Sequence, residues 1–194
     1  MMQRYLAPAL LGITLLGTQA NAQSDLYLGV DLFRSYNSFD VYTTDSGSFD
    51  YDNDSKGFKV KLGVLTYDGW RVQGYYLNET FDDPLFDPNN DELSEMGVDL
   101  IKSFSTGQGI APFIQGGFGI GWMDLDPAYY ADDSISEFSL KFGAGMLIWL
   151  SPALDAVVGA DLQYRGWEDI HDDLGRIETE DTSARLYVGL NVYF

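Results

Sequence analysis

Hydrophobic and polar residues alternate along most of this chain, and a period of two marks strands whose successive side chains point to opposite faces. One face is apolar almost throughout: Leu26, Leu28, Val30, Leu32; Phe58, Val60, Leu62, Val64; Trp70, Val72, Tyr76; Met96, Val98, Leu100. It continues with Ile114, Phe118, Ile120, Trp122; Phe138, Leu140, Phe142, Ala144, Met146, Ile148; Ala156, Val158, Ala160, Leu162, Tyr164; and Ala184, Leu186, Val188, Leu190, Val192, Phe194. Each of these eight segments is near the roughly 9–11 residues that a tilted membrane strand requires. The uncharged stretch 103–123 competes as a helix, but it holds Pro112 and six glycines. A glycine costs a helix interior about 1 kcal/mol relative to alanine, so the stretch reads as a turn followed by a strand.

The opposite face carries charge in mid-strand: Asp31, Lys59, Lys61, Arg71, Glu95, Asp99, Lys141, Asp161, Arg165 and Arg185, spaced by glycines such as Gly29, Gly97 and Gly189. A soluble ligand-binding barrel would turn its apolar face inward, and the connections choose against it. Tight turns at Tyr67-Asp68-Gly69, Thr106-Gly107-Gln108-Gly109 and Ser151-Pro152-Ala153 alternate with long links at residues 35–55, 78–92, 124–134 and 168–182. Short turns on one rim and long loops on the other are the arrangement of outer-membrane barrels. Outward aromatics then fall at strand ends: Phe58, Tyr76, Trp122, Phe138 and Tyr164 near the loop rim, Trp70 and Phe194 near the turn rim. Amphipathic rings favour headgroup level, so two girdles are expected. An unpaired sheet edge is too costly in hydrocarbon, so the eighth strand must return to the first. The expected fold is an all-β, eight-stranded antiparallel up-and-down transmembrane β-barrel.

Residues 1–22 differ in kind, with Arg4 as the only charge, an apolar run over 6–16, and Ala20-Asn21-Ala22 at the end. That is the layout of a cleaved secretory signal, and its apolar core is too short for a spanning helix. Residues 23–194 are then one barrel domain in the bacterial outer membrane. The chain has no cysteine, which excludes disulfides, thiolate metal sites and a cysteine nucleophile. A formal charge of −19 argues against nucleic acid, whose phosphates are neutralised by Lys and Arg. The 15% aromatic and 45% apolar content separates this acidic chain from a disordered one.

The signal ending Ala20-Asn21-Ala22, the eight segments and the final Arg185-Leu186-Tyr187-Val188-Gly189-Leu190-Asn191-Val192-Tyr193-Phe194 carry a resemblance. The chain resembles the small outer-membrane β-barrel proteins, the group containing the OmpA membrane domain and OmpX. A terminal Phe194 preceded by Leu186, Val188, Leu190 and Val192 is similar to the signal read by the barrel-assembly machinery, which the resemblance implies as a partner, with periplasmic chaperones, during biogenesis. No periplasmic domain is expected after Phe194, and with it no peptidoglycan-binding role.

Eight strands enclose a space that side chains can fill, so the ten charges are expected to form a salt-bridge plug rather than a conducting pore. Most of the 30 acidic residues fall in the predicted loops, including Asp40, Asp50, Asp52 and Asp54, then Glu79, Asp82 and Asp91, then Asp124 and Asp126, and finally Glu180 and Asp181. Asp50-Tyr51-Asp52-Asn53-Asp54 lacks the glycine and glutamate of an EF-hand loop. No defined metal site or cofactor is therefore expected; weak divalent cations bridging the acidic loops to lipopolysaccharide are the softer expectation. Some relatives of this size modify lipid A with a histidine and a serine near the outer rim. Here the only histidine, His171, sits beside Asp172 and Asp173, with Ser183 near it in sequence but no spacing that brings them together. The expected role is non-enzymatic, in envelope integrity or surface interaction, by a monomer among outer-membrane lipid and lipopolysaccharide. A small solute pore and a lipid A-modifying enzyme using His171 are the alternatives.

Overall fold

The computed structural model describes residues 25–43, 47–66, 68–86, 88, 90–107, 109–126, 133–172 and 175–194. The expected signal peptide, residues 1–22, lies outside them. The strands are β1 (Asp25–Thr43), β2 (Gly47–Leu65), β3 (Trp70–Phe81), β4 (Glu92–Ser103), β5 (Ile110–Asp124), β6 (Ser134–Ser151), β7 (Leu154–Trp167), β8 (Ile170–Asp172) and β9 (Gly175–Tyr193). Each long strand pairs antiparallel with its neighbour, and β9 pairs both with β7 and with β1, from Tyr27 opposite Tyr193 to Thr43 opposite Ile177. Eight strands thus close a ring; the three-residue β8 pairs only with β9, outside that ring.

The faces sort as hydrocarbon demands. Leu62, Leu140 and Val188 are 50%, 51% and 54% exposed, while the adjoining Lys61, Lys141 and Arg185 are 4%, 5% and 2% exposed. The outward aromatics Phe58, Tyr76, Trp122, Phe138 and Tyr164 stand at the loop end and Trp70 and Phe194 at the turn end, all exposed. Leu186, Val188, Leu190, Val192 and Phe194 lie outward along the strand that closes the ring.

The tight turns fall where the spacing places them, and Gly69 takes a left-handed φ of 73° that a side chain would strain. Inside the barrel, Tyr27, Tyr75 and Tyr187 each pair across strands with a glycine: Gly63, Gly97 and Gly159. A Cβ on any of the three would stand within 2.5 Å of the facing tyrosine, so the glycines give the rings their space.

Two expected loops are corrected. Residues 35–55 are mostly strand, because β1 and β2 continue as a paired hairpin up to Thr43 and Gly47. Residues 168–182 likewise hold β8 and the first eight residues of β9. Above Asn37 the alternation persists with its polarity reversed: Phe39 and Val41 face inward and are buried, while Ser38 and Asp40 face outward. The barrel is inverted in lipid and of ordinary polarity above it.

Candidate functional site: the lumen and the outer sheet

All ten mid-strand charges predicted for the interior are buried inside the ring. They divide by height. At the turn end, Arg71 lies 3.2 Å from Asp155 and 5.6 Å from the ring centroids of Tyr27, Trp149 and Tyr193. Asn191 donates to the other Asp155 oxygen at 2.6 Å. In the middle, Asp31 takes Lys61 at 2.5 Å and Lys59 at 3.4 Å, and Asp99 takes Lys141 at 3.0 Å and the Gln73 amide at 2.8 Å. Gln115 donates to Asp161 at 3.2 Å. Toward the loops, Arg165 pairs with Glu79 and with Asp181 at 3.3 Å, and Arg185 reaches Glu79 at 3.2 Å. Tyr75 and Gln163 donate to the two oxygens of Glu95. Buried charges persist when paired and hydrogen-bonded in this way.

Four lumenal carboxylates escaped the sequence reading. Glu79 and Asp181 were expected in loops, yet both are buried in the ring, because β3 and β9 run further than their apolar outer faces suggest. Glu137 and Asp155 lie one residue outside the alternating apolar runs beginning at Phe138 and Ala156, on the inward parity, which is the signal that finds them.

Apolar side chains fill what the charges leave. Ile101, Ala111, Phe113, Leu147 and Val157 belong to one buried cluster, and all but Ala111 border the same small void as Lys59 and Lys61. Phe39, Phe81, Leu93, Met123, Leu125, Ile135 and Trp167 form a second cluster across the loop end, with Tyr51, Leu85 and Phe86 packed on it. The void among Asp31, Lys61, Arg71, Phe113 and Leu147 has a cavity volume of about 10 Å³, room for roughly one water.

Outside, β9, β1 and β2 rise above the apolar belt as a three-stranded sheet. The first polar pair above Leu32 and Phe58 is Arg34 opposite Lys56, held by Asp54 at 3.1 Å and Asp82 at 3.4 Å. Higher still, Asp50, Asp40 and Glu180 stand side by side on three adjacent strands. Crowding that removes water from the Asp40 carboxyl, its hydrogen bond with Asp50 and the charges of Asp50 and Glu180 hold it above the usual carboxylate range. Among the described residues no three His, Cys, Asp or Glu side chains are placed to hold a metal ion.

The His171 backbone sits on β8 opposite Arg176. Ser183 is buried in the ring on β9, seven residues below Arg176, roughly 23 Å at about 3.3 Å per residue. The two residues that a lipid A-modifying site would need are not brought together.

The chain matches no curated protein sequence. Among solved structures it is similar to Neisserial surface protein A, at 18% identity and a TM-score of 0.59, over 87% of this chain and 97% of that one. It is similar to the outer membrane protein AlkL, determined in lipid bilayers, at 12% identity and 0.55, over 89% and 90%. It also matches OprG from Pseudomonas aeruginosa, at 12% identity and 0.51, over 88% and 96%. At these identities the likeness speaks for the fold alone. Residues 7–194 match the family described as outer membrane protein beta-barrel domain, which spans the closed ring, its lipid-facing belt and its charged interior. This chain therefore belongs to the outer membrane protein beta-barrel domain family.

Proposed function

We propose that this chain is a closed, non-conducting and non-enzymatic barrel of the outer membrane, exported by the signal at residues 1–22, that acts through its outer sheet in envelope integrity or surface interaction. The observation that carries the reading is the filled lumen. A path for solutes would have to part the Arg165, Glu79 and Asp181 pairs, displace the apolar cluster around Trp167 and Phe81, and pass a void of about one water. Parting the pairs and displacing the cluster break buried ionic and close-packed contacts.

The enzymatic reading loses support from the separation of His171 and Ser183, because a nucleophile and its base need hydrogen-bond reach. On the adopted reading the outer-leaflet partner is lipopolysaccharide, with its phosphates level with Arg34 and Lys56 just above the apolar belt. Planar-bilayer recording of refolded protein tests the proposal: a silent membrane is expected, and reproducible single-channel steps would overturn it.

A further inference from the structure

The upper part of β2 is a strand with one side empty. β1 pairs with it along its whole length, from Gly47 to Leu65, but β3 pairs only from Ser55 downward. The chain leaving β3 follows for two more positions: the Asp82 N–H donates to the Asp54 carbonyl at 2.8 Å, and the Asn53 side chain brackets the Asp83 backbone at 2.7 and 3.1 Å. Beyond that, residues 47–52 have no strand beside them among the described residues. The opposite margin of the same sheet is covered, since β8 pairs with the top of β9.

The Asp82 to Asp54 bond fixes which groups face the gap. In an antiparallel ladder a residue directs its N–H and C=O to the same neighbour, and successive residues alternate. Ser48, Asp50 and Asp52 therefore turn their backbone donors and acceptors to the empty margin, whereas Phe49 and Tyr51 bond toward β1. Proteins usually blunt such an edge with lysine, proline or a bulge. The charged side chains of residues 47–52 are both carboxylates, Asp50 and Asp52, which repel an acidic strand and attract a basic one.

The two faces beside the gap differ. Outward, Asp50 and Asp52 are exposed, with Asp40 and Glu180 in line with Asp50. Inward, Phe49 is 54% exposed and Tyr51 stacks on Phe39 with centroids 4.9 Å apart. An added strand would set one row of side chains against carboxylates and the alternate row against rings. Six residues span roughly 20 Å at about 3.3 Å each, the length of an ordinary strand.

We infer that residues 47–52 of β2 receive an extended cationic peptide segment, with basic and apolar side chains in alternation, by addition of a strand to the sheet. The inference deepens the surface-interaction reading above and rests on it.

The test uses the full mature barrel refolded in detergent and three fluorescent hexapeptides: alternating Lys-Val, the same composition as a Lys block followed by a Val block, and alternating Glu-Val. The alternating cationic peptide should bind at least tenfold more tightly than the block peptide, the acidic one should not bind, and the Asp50 and Asp52 amides should exchange more slowly in the complex. Asp50→Asn should weaken binding through charge, and Asp50→Pro should weaken it at least tenfold further by removing an N–H that faces the gap and bonds to no strand. Ser48→Pro keeps every carboxylate and should also lose binding; the heat-dependent gel shift checks that each variant is folded. Equal binding of the alternating and block peptides, equal binding by Asp50→Pro and Asp50→Asn, or no binding to the folded barrel would overturn the inference. Absence of binding with a silent bilayer sinks this inference alone, whereas conductance steps sink the closed-barrel reading.

Discussion

Arg165 on β7 and Glu79 on β3 meet inside the barrel although 86 residues separate them, and neither side chain is exposed. Asp181 of β9 completes the same cluster. Arg165→Met leaves Asp181 buried without a described cation beside it. Breaking a buried pair from one side costs about 3–5 kcal/mol. The urea midpoint of refolded barrel should fall accordingly, and an unchanged midpoint would show that the cluster is solvated rather than buried.

Glu95 and Glu137 flank Gly121 in one row across β4, β5 and β6, so no side chain stands between the two carboxyl groups. Glu95 accepts from Tyr75 and Gln163, whereas neither oxygen of Glu137 is held by a donor. Glu137→Gln should therefore raise stability, by about 1 kcal/mol, while Glu95→Gln should lower it. Equal losses in the two variants would contradict this assignment of roles.

The strands that cross lipid were legible because one face of each is apolar almost throughout, while the opposite face carries charge or, on β5, Gln115 and glycines. Lys59 and Lys61 beside Phe58, Val60 and Leu62 are sufficient to show both faces of β2. The outer hairpin was missed because its alternation runs in the opposite phase: Phe49 and Tyr51 point inward between Ser48, Asp50 and Asp52. A search for apolar residues on the outward parity finds nothing there, while a search for period two alone finds the strand. Which lumenal charge meets which was illegible, since Arg71 and Asp155 meet through ring closure rather than through local spacing.

Asp40 lies eight residues above Leu32, the last apolar lipid-facing position of β1, and titrates in water. Its carboxyl is held above the ordinary value of 3.8 in the folded sheet. A carboxyl raised on folding adds stability below its unfolded value, and that stability is lost as pH rises through the folded value. The outer sheet should thus grow more labile as pH climbs from below 3.8 through the raised Asp40 value, read as faster exchange of the Phe49 and Tyr51 amides, which bond toward β1, after correction for intrinsic rates. Asp40→Asn should flatten the profile; an unaltered profile would place the proton elsewhere.

Trp167 and Phe81 cap the lumen at the loop end, and Trp167 meets Phe86 edge-on with centroids 5.3 Å apart. Trp167→Ala should cost about 3–5 kcal/mol. It should nevertheless leave bilayers silent, because the charge clusters and the Arg71 aromatic cage still fill the path below. Conductance appearing in this variant alone would make the loop-end cluster the sole barrier.

The reversal of polarity along one strand is the feature on which the rest depends, and the absence of cysteine lets it be read directly. Spin labels on single cysteines at Leu32, Phe39 and Asp40 of bilayer-embedded barrel should report three environments: oxygen-accessible lipid at 32, neither lipid nor water at 39, and relaxation by a water-soluble nickel chelate at 40. A label at 39 that behaves like the one at 32 would contradict the account, because Phe39 would then face hydrocarbon and the barrel would have no ordinary-polarity outer sheet.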